Sequence, residues 1–225
     1  MHRVLFFLLL MILLSPIPAL AQEQQAVVKE FSGKVEVKPP GRDWRPVVVN
    51  MPVAMGATVS TGFASRLVLE LGQTHISIRP LTRMLLRELV KTGSTNTTSL
   101  TLRVGKVNVA VKAASGEKND FTIRGPASTA AVRGTEFNYD ANVDDKIDDL
   151  VGSVSVTTGT TGHTLILYPG ESVNTNGTGF TYVQPSGGPP QNDLMSTLYG
   201  NQGYLDENRL PTSNSSSATI TVRVN

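Results

Sequence analysis

Thr98-Ser99-Leu100-Thr101-Leu102-Arg103-Val104-Gly105-Lys106-Val107-Asn108-Val109-Ala110-Val111 alternates apolar and polar side chains on both sides of one glycine. Successive side chains of a strand point to opposite faces, so this pattern gives two strands, each with one dry and one wet face, meeting at Gly105. The same period of two recurs before it in Val35/Val37, Leu67/Leu69/Leu71 and Ile76/Ile78. After it come Phe121/Ile123, Phe137/Tyr139, Val154/Val156, Leu165/Leu167 and Ile220/Val222/Val224. Turn formers separate these segments, among them Pro39-Pro40-Gly41, Gly72, Gly93, Gly116, Gly125-Pro126, Pro169-Gly170 and Asn176-Gly177. Short strands at regular spacing predict an all-β fold: an antiparallel β-sandwich, a jelly roll or a rolled β-solenoid. One segment is ambiguous, because Leu81, Leu85 and Leu89 have helical spacing while Met84 and Leu86 fit a strand.

The chain has 225 residues, 40% of them hydrophobic, enough for a packed core. It contains no cysteine, which excludes disulfide staples, cysteine-zinc sites, cysteine nucleophiles and a lipid-modified N-terminal cysteine. Residues Met1 to Ala21 have the pattern of a cleavable secretory signal: Arg3, an apolar run from Val4 to Leu14, Pro16 and Pro18, then Ala19-Leu20-Ala21 before Gln22. Those 11 apolar residues fall short of the roughly 20 that span a bilayer, so no transmembrane segment is expected in the mature chain. The expected organisation is a signal over 1–21, a β-domain over 22–183 and a Pro/Gly/Ser-rich extension over 184–225. In the extension, Leu194 and Leu198 suggest a short helix, and Thr219 to Val224 a final strand returning to a sheet edge. Such a protein is expected in the periplasm or outside the cell.

Formal net charge is +2, but it is unevenly distributed along the chain. From Gln22 to Arg133 there are 16 Lys/Arg and 8 Asp/Glu, a net +8; from Gly134 to Asn225 there are 3 and 10, a net −7. If the strands segregate in space as they do in sequence, the module is a dipole suited to steering charged partners or to self-association. If they interleave, the charges cancel locally.

Three segments in order resemble the FecR domain family. The first runs from Gly56 through Thr61-Gly62-Phe63-Ala64-Ser65-Arg66 to Leu71, the second is Leu102-Arg103-Val104-Gly105-Lys106-Val107-Asn108-Val109, and the third is Ala130-Ala131-Val132-Arg133-Gly134-Thr135-Glu136-Phe137. The resemblance extends over roughly Val27 to Val183. It implies an extracytoplasmic all-β module and makes Thr82 to Leu89 a strand. In the family's best-known members the module is the periplasmic sensing half of a membrane-spanning sigma-factor regulator of iron uptake. Here no helical cytoplasmic segment precedes it and the one apolar segment looks cleavable, so the expectation is the module without direct sigma-factor control.

The motif residues Thr61, Gly62, Ser65, Arg66, Arg133, Gly134, Thr135, Glu136 and Phe137 are expected to be structural. Gly134 then marks a bulge or close backbone approach, and Arg133 pairs with a carboxylate such as Glu136 or Glu70. The alternative is an Arg133 that grips a partner's carboxylate or phosphate. Asp140, Asn142, Asp144 and Asp148 are spaced like a calcium loop, but its sixth place is Asp145 rather than Gly and its twelfth is Val151 rather than Glu; an acidic hairpin turn is expected instead. His75 and His163 are far apart in sequence, Ser65 has no evident base, and no phosphate loop, nucleophile elbow or zinc-protease helix is present. No catalytic, cofactor or metal site is therefore expected. The expected role is a non-catalytic interaction or sensing module of the cell envelope, bound to another envelope protein or an envelope polymer rather than nucleic acid. The rival roles are an envelope-polysaccharide enzyme and a calcium-dependent adhesive module.

Overall fold

Each alternating segment named above within residues 22–183 lies in or at the end of a strand of the computed structural model, which describes residues 22–183 and 219–221. The signal pattern and the suggested helix at Leu194 and Leu198 lie outside the described residues. The strands form two sheets. The first holds β1 (Gln22–Glu23), β3 (Val35–Lys38), β4 (Arg45–Pro46), β6 (Thr58–Thr61), β9 (Arg83–Thr92), β10 (Thr95–Val104), β12 (Lys118–Arg124), β13 (Ser128–Val132), β16 (Val154–Thr158) and β17 (Thr164–Leu167). The second holds β2 (Ala26–Ser32), β5 (Pro52–Val53), β7 (Arg66–Leu71), β8 (Thr74–Ile78), β11 (Lys106–Ala110), β14 (Glu136–Ala141), β15 (Asp145–Val151), β18 (Ser172–Thr175), β19 (Phe180–Val183) and β20 (Thr219–Thr221). The final strand expected from Thr219 thus returns to the edge of the second sheet, antiparallel to β19.

The inward residues of both sheets meet in one apolar cluster that includes Val28, Leu67, Leu69, Met84, Leu102, Ile123, Phe137, Val156 and Val173. Burial of each such side chain stabilises the fold by about 1.5–3 kcal/mol. Phe121 of the first sheet meets Phe137 of the second edge to face, with ring centroids 6.3 Å apart. The sheets are not purely antiparallel as expected: β10 and β12 run parallel from Thr95/Lys118 to Thr101/Arg124. The physical cause is β11, which carries the chain into the second sheet between them, so that β12 re-enters the first in the direction of β10.

Strand order in both sheets follows chain order, with β4 and β3 at one end of the first sheet and β16 and β17 at the other, and β5 and β2 opposite β18 and β19 in the second. The basic and acidic halves of the sequence therefore segregate. Residues 134–183 hold one lysine and seven carboxylates, and they fill the same end of both sheets.

The helical spacing of Leu81, Leu85 and Leu89 is resolved by a β-bulge. Strand β9 pairs Leu86 with Leu100 and Glu88 with Ser99, leaving Arg87 as an extra residue. Inward parity shifts there, so Met84, Leu86 and Leu89 are all buried while Arg87 and Glu88 both face water.

Gly125 and Gly134 behave oppositely. A Cβ on Gly125 would lie 2.4 Å from Tyr139 Oη and 2.5 Å from an Asp145 carboxylate oxygen, whereas one on Gly134 would meet nothing within 4 Å. The close approach expected at Gly134 is therefore absent; it falls on Gly152, where a Cβ would sit 3.0 Å from the Gly134 carbonyl. Gly125→Ala is expected to cost about 2 kcal/mol or more in urea denaturation, and Gly134→Ala to stay within about 0.5 kcal/mol.

Candidate functional site

Each crossing between sheets leaves backbone groups without a ladder partner, and buried polar side chains supply one. Ser65 Oγ accepts from the Lys34 N–H at 2.9 Å and donates to the Phe63 carbonyl at 3.0 Å. Thr61 Oγ1 donates to the Arg79 carbonyl at 2.7 Å and accepts from the Thr82 N–H at 3.0 Å. Thr82 Oγ1 in turn accepts from the Lys106 N–H at 3.0 Å. At the next crossing Thr135 Oγ1 donates to the Ser153 carbonyl at 3.0 Å. Of the other motif residues, Gly62 donates its N–H to the Lys34 carbonyl, Phe137 is core, and Arg66 pairs with Glu30 at 3.3 Å. Arg133 is exposed and pairs with Asp120 at 3.3 Å, not with Glu136 or Glu70. Glu70 is held by Lys29 and His75 in the second sheet, two layers removed from Arg133.

The acidic segment 140–149 is a hairpin whose carboxylates serve different partners. Asp140 pairs with Lys106 at 2.6 Å and caps Asn142, while Asp148 accepts from Ser172 Oγ at 2.6 Å and pairs with Lys146 at 3.0 Å. Asp145 turns inward, where Oδ2 accepts from the N–H groups of Ala127 (2.9 Å) and Ser128 (2.6 Å), from Ser128 Oγ (3.0 Å) and from Tyr139 Oη (2.7 Å). Burial pushes the Tyr139 phenol well above its ordinary value, and the Asp145 charge adds to the rise. No group of three or more metal-ligating side chains converges among the described residues. His75 stands outward on β8 beside Glu70, and His163 in the β16–β17 turn of the other sheet. Ser65 is 1% exposed and spends both hydrogen-bonding roles on backbone.

The two outer faces differ in charge. Every Lys or Arg in the strands of the second sheet, namely Lys29, Arg66, Lys106 and Lys146, is ion-paired within 3.3 Å. Of the eight in strands of the first sheet, only Lys91 is paired, with Glu117. Lys38, Arg45, Arg83, Arg87, Arg103, Lys118 and Arg124 are exposed, and among the residues whose side chains are described Glu88 is the single carboxylate in those strands outside an ion pair. Arg83 also lies over the Trp44 ring, 5.7 Å from its centroid. The sequence places these cations in the basic half of the chain, but does not show their concentration on one sheet.

Residues 57–162 match the family model described as FecR protein. The chain carries a FecR domain. The match runs from just before β6 to the β16–β17 turn, while the apolar core of the domain continues on both sides, from Ala26 to Tyr182. Two crystal structures of a Parabacteroides distasonis ATCC 8503 protein, provisionally described as an anti-sigma factor, are similar at 19% identity, with TM-scores of 0.44 and 0.42. Each alignment covers 54% of this chain and 55% of the other, so this chain spans about half the length of those proteins. No curated protein matches the chain.

Sequence analysis missed the buried polar groups Thr82, Ser128, Asp149 and Glu171 of the FecR domain and its flank. The available signal was a polar residue at inward parity of an alternating strand, as at Asp145 and Asp149 on either side of Ile147. Glu171 Oε2 accepts from the Tyr168 N–H at 2.8 Å. Asp149 is 1% exposed and its two carboxylate oxygens have no hydrogen-bond partner. Burial lifts its pKa from the ordinary 3.8 to about 6, and the Glu171 charge adds to this; the N–H groups of Val151 and Leu150 face it without closing hydrogen bonds and offset only part. A carboxyl that holds its proton more tightly when folded contributes stability below the unfolded pKa, which is lost as pH rises through the folded value. The domain is expected to lose thermal stability between pH 4 and 6.5 on this account. Asp149→Asn is expected to flatten that slope and to melt higher than the parent at pH 7.5, as read by circular dichroism.

Proposed function

We propose that the protein is an exported, non-catalytic FecR-type module that binds a partner in the bacterial cell envelope and serves recognition or sensing there. Export rests on the pattern of Met1 to Ala21. The family match supports a role in signalling or sensing in general. The observation that carries the interaction role is the unpaired cationic face of the first sheet. Exposed charges left without partners on a braced β-scaffold raise association rates with anionic surfaces and confer little on the fold itself. The motif residues Thr61, Gly62, Ser65, Arg66, Arg133, Gly134, Thr135, Glu136 and Phe137 act in this view as scaffold rather than as contact points, since the hydroxyls among them are turned to backbone.

Immobilised protein is expected to retain a specific envelope component at low salt and to release it as ionic strength rises. Recovery of nothing specific, together with turnover of a defined envelope polymer by the purified protein, would overturn this function.

A further inference from the structure

The outward residues of the first sheet line up in register across eight strands. Ladder partners run Lys38–Thr58–Leu85–Thr101–Arg124–Thr129–Thr157–Thr164, from β3 through β6, β9, β10, β12, β13 and β16 to β17. Five of the eight are threonines, and all eight are exposed or half-buried. Arg87 Nε donates to Thr101 Oγ1 at 2.9 Å, which brings a third cation onto the row. Thr157 and Thr164 share a hydrogen bond between their hydroxyls at 2.9 Å. Two residues away along the strands, a second row of Thr122, Ala131, Ser155 and Ile166 forms the floor and wall of a shallow depression of about 500 Å³. Arg133 and Asp120 stand at its end.

This is a continuous track across the strands, following the twist of the sheet, with hydroxyl groups at strand spacing and cations at intervals. Neighbouring strands are about 4.8 Å apart, so the row is on the order of 30 Å long. Arginine forks fit carboxylate, sulfate or phosphate oxygens, and hydroxyls exchange hydrogen bonds with sugar hydroxyls. Single-stranded nucleic acid calls for aromatic stacking platforms, and Trp44, which lies under Arg83, is off this row. A folded acidic protein presents its charges on a curved surface, whereas a linear polymer can lie along all eight strands.

We propose that the outer face of the first sheet binds a linear acidic polysaccharide, laid across the strands along the threonine row with its anionic groups on Arg87, Arg124 and Lys38. This assignment rests on the interaction role proposed above and names its partner class. It makes the face a sugar-polymer platform in which charge supplies attraction and the hydroxyl row supplies selectivity.

The test is direct binding of the purified full chain to polygalacturonate, with neutral dextran and duplex DNA as comparison probes, by calorimetry at several salt concentrations. Polygalacturonate is expected to bind with a salt-dependent affinity, dextran not measurably, and DNA at least about tenfold more weakly than the acidic polysaccharide. Arg87→Gln with Arg124→Gln is expected to weaken polygalacturonate binding by at least about tenfold, with an unchanged melting temperature because both side chains are exposed. Thr129→Val, which leaves every charge in place, is expected to weaken it severalfold. Lys146→Gln on the opposite sheet is expected to have no effect. Equal binding of DNA and polygalacturonate, or no effect of either the arginine pair or Thr129→Val, overturns the platform. Failure here alongside salt-sensitive retention of a specific envelope protein by the immobilised chain would remove the polysaccharide and leave the interaction role standing.

Discussion

The fold depends on how the chain turns between its two sheets. A strand that leaves one sheet for the other strands backbone N–H and C=O groups at the corner, and an unpaired buried backbone group costs about as much as a lost hydrogen bond. At these corners the chain places a small hydroxyl or a carboxylate. Ser65, Thr61, Thr82 and Thr135 each tie two segments that are distant in sequence, and Asp145 gathers four donors from the Gly125–Ser128 turn and Tyr139. Gly125 is glycine because that carboxylate and phenol occupy the space a side chain would need. These bonds join one sheet to the other, so they fix the relative position of the layers in a way the nondirectional apolar core does not.

The bracing has an effect on the surface. Because corner contacts use the ends of strands, the middle of each outer face takes no part in them, and the two faces differ in how their cations are paired. In the second sheet every strand cation is ion-paired, three with a carboxylate on the adjacent strand and Lys146 with Asp148 along β15; such pairs add little to stability individually, and they leave that sheet without an open cation in its strands and with carboxylates in excess. The first sheet leaves its cations open to solvent. Charge is thus polarised twice, along the strand order from basic to acidic, and across the layers from open to paired.

Much of the fold was legible in the sequence because a period of two has only one structural meaning when repeated between turn formers. Where it failed, the cause was a bulge. Arg87 interrupts the alternation of β9, and Leu150 does the same in β15, where Glu136 pairs with Val151 and Phe137 with Asp149, leaving Leu150 and Val151 exposed. An extra residue in a strand cannot be seen without the partner strand that lacks it. The parallel pairing of β10 with β12 was hidden for a related reason, since direction is set by where the chain goes in between. The family motifs were legible as residues, but what they bond to was not. Ser65 reaches back to Lys34, and Arg133 meets Asp120 rather than the carboxylate near it in sequence.

By itself the sequence determined that residues 22–183 are all-β, which residues face the core wherever a strand has no bulge, and that the basic and acidic residues fall in separate halves. All three follow from local properties: side-chain alternation, turn chemistry and charge count. The tertiary structure decided that strand order follows chain order, which turns a sequence polarity into a spatial one. It also decided that unpaired cations and a register-aligned row of threonines share one sheet face. Residues more than a hundred positions apart, from Lys38 to Thr164, become neighbours on that row only through the ladder of pairings between them, and no local pattern encodes which strands will pair.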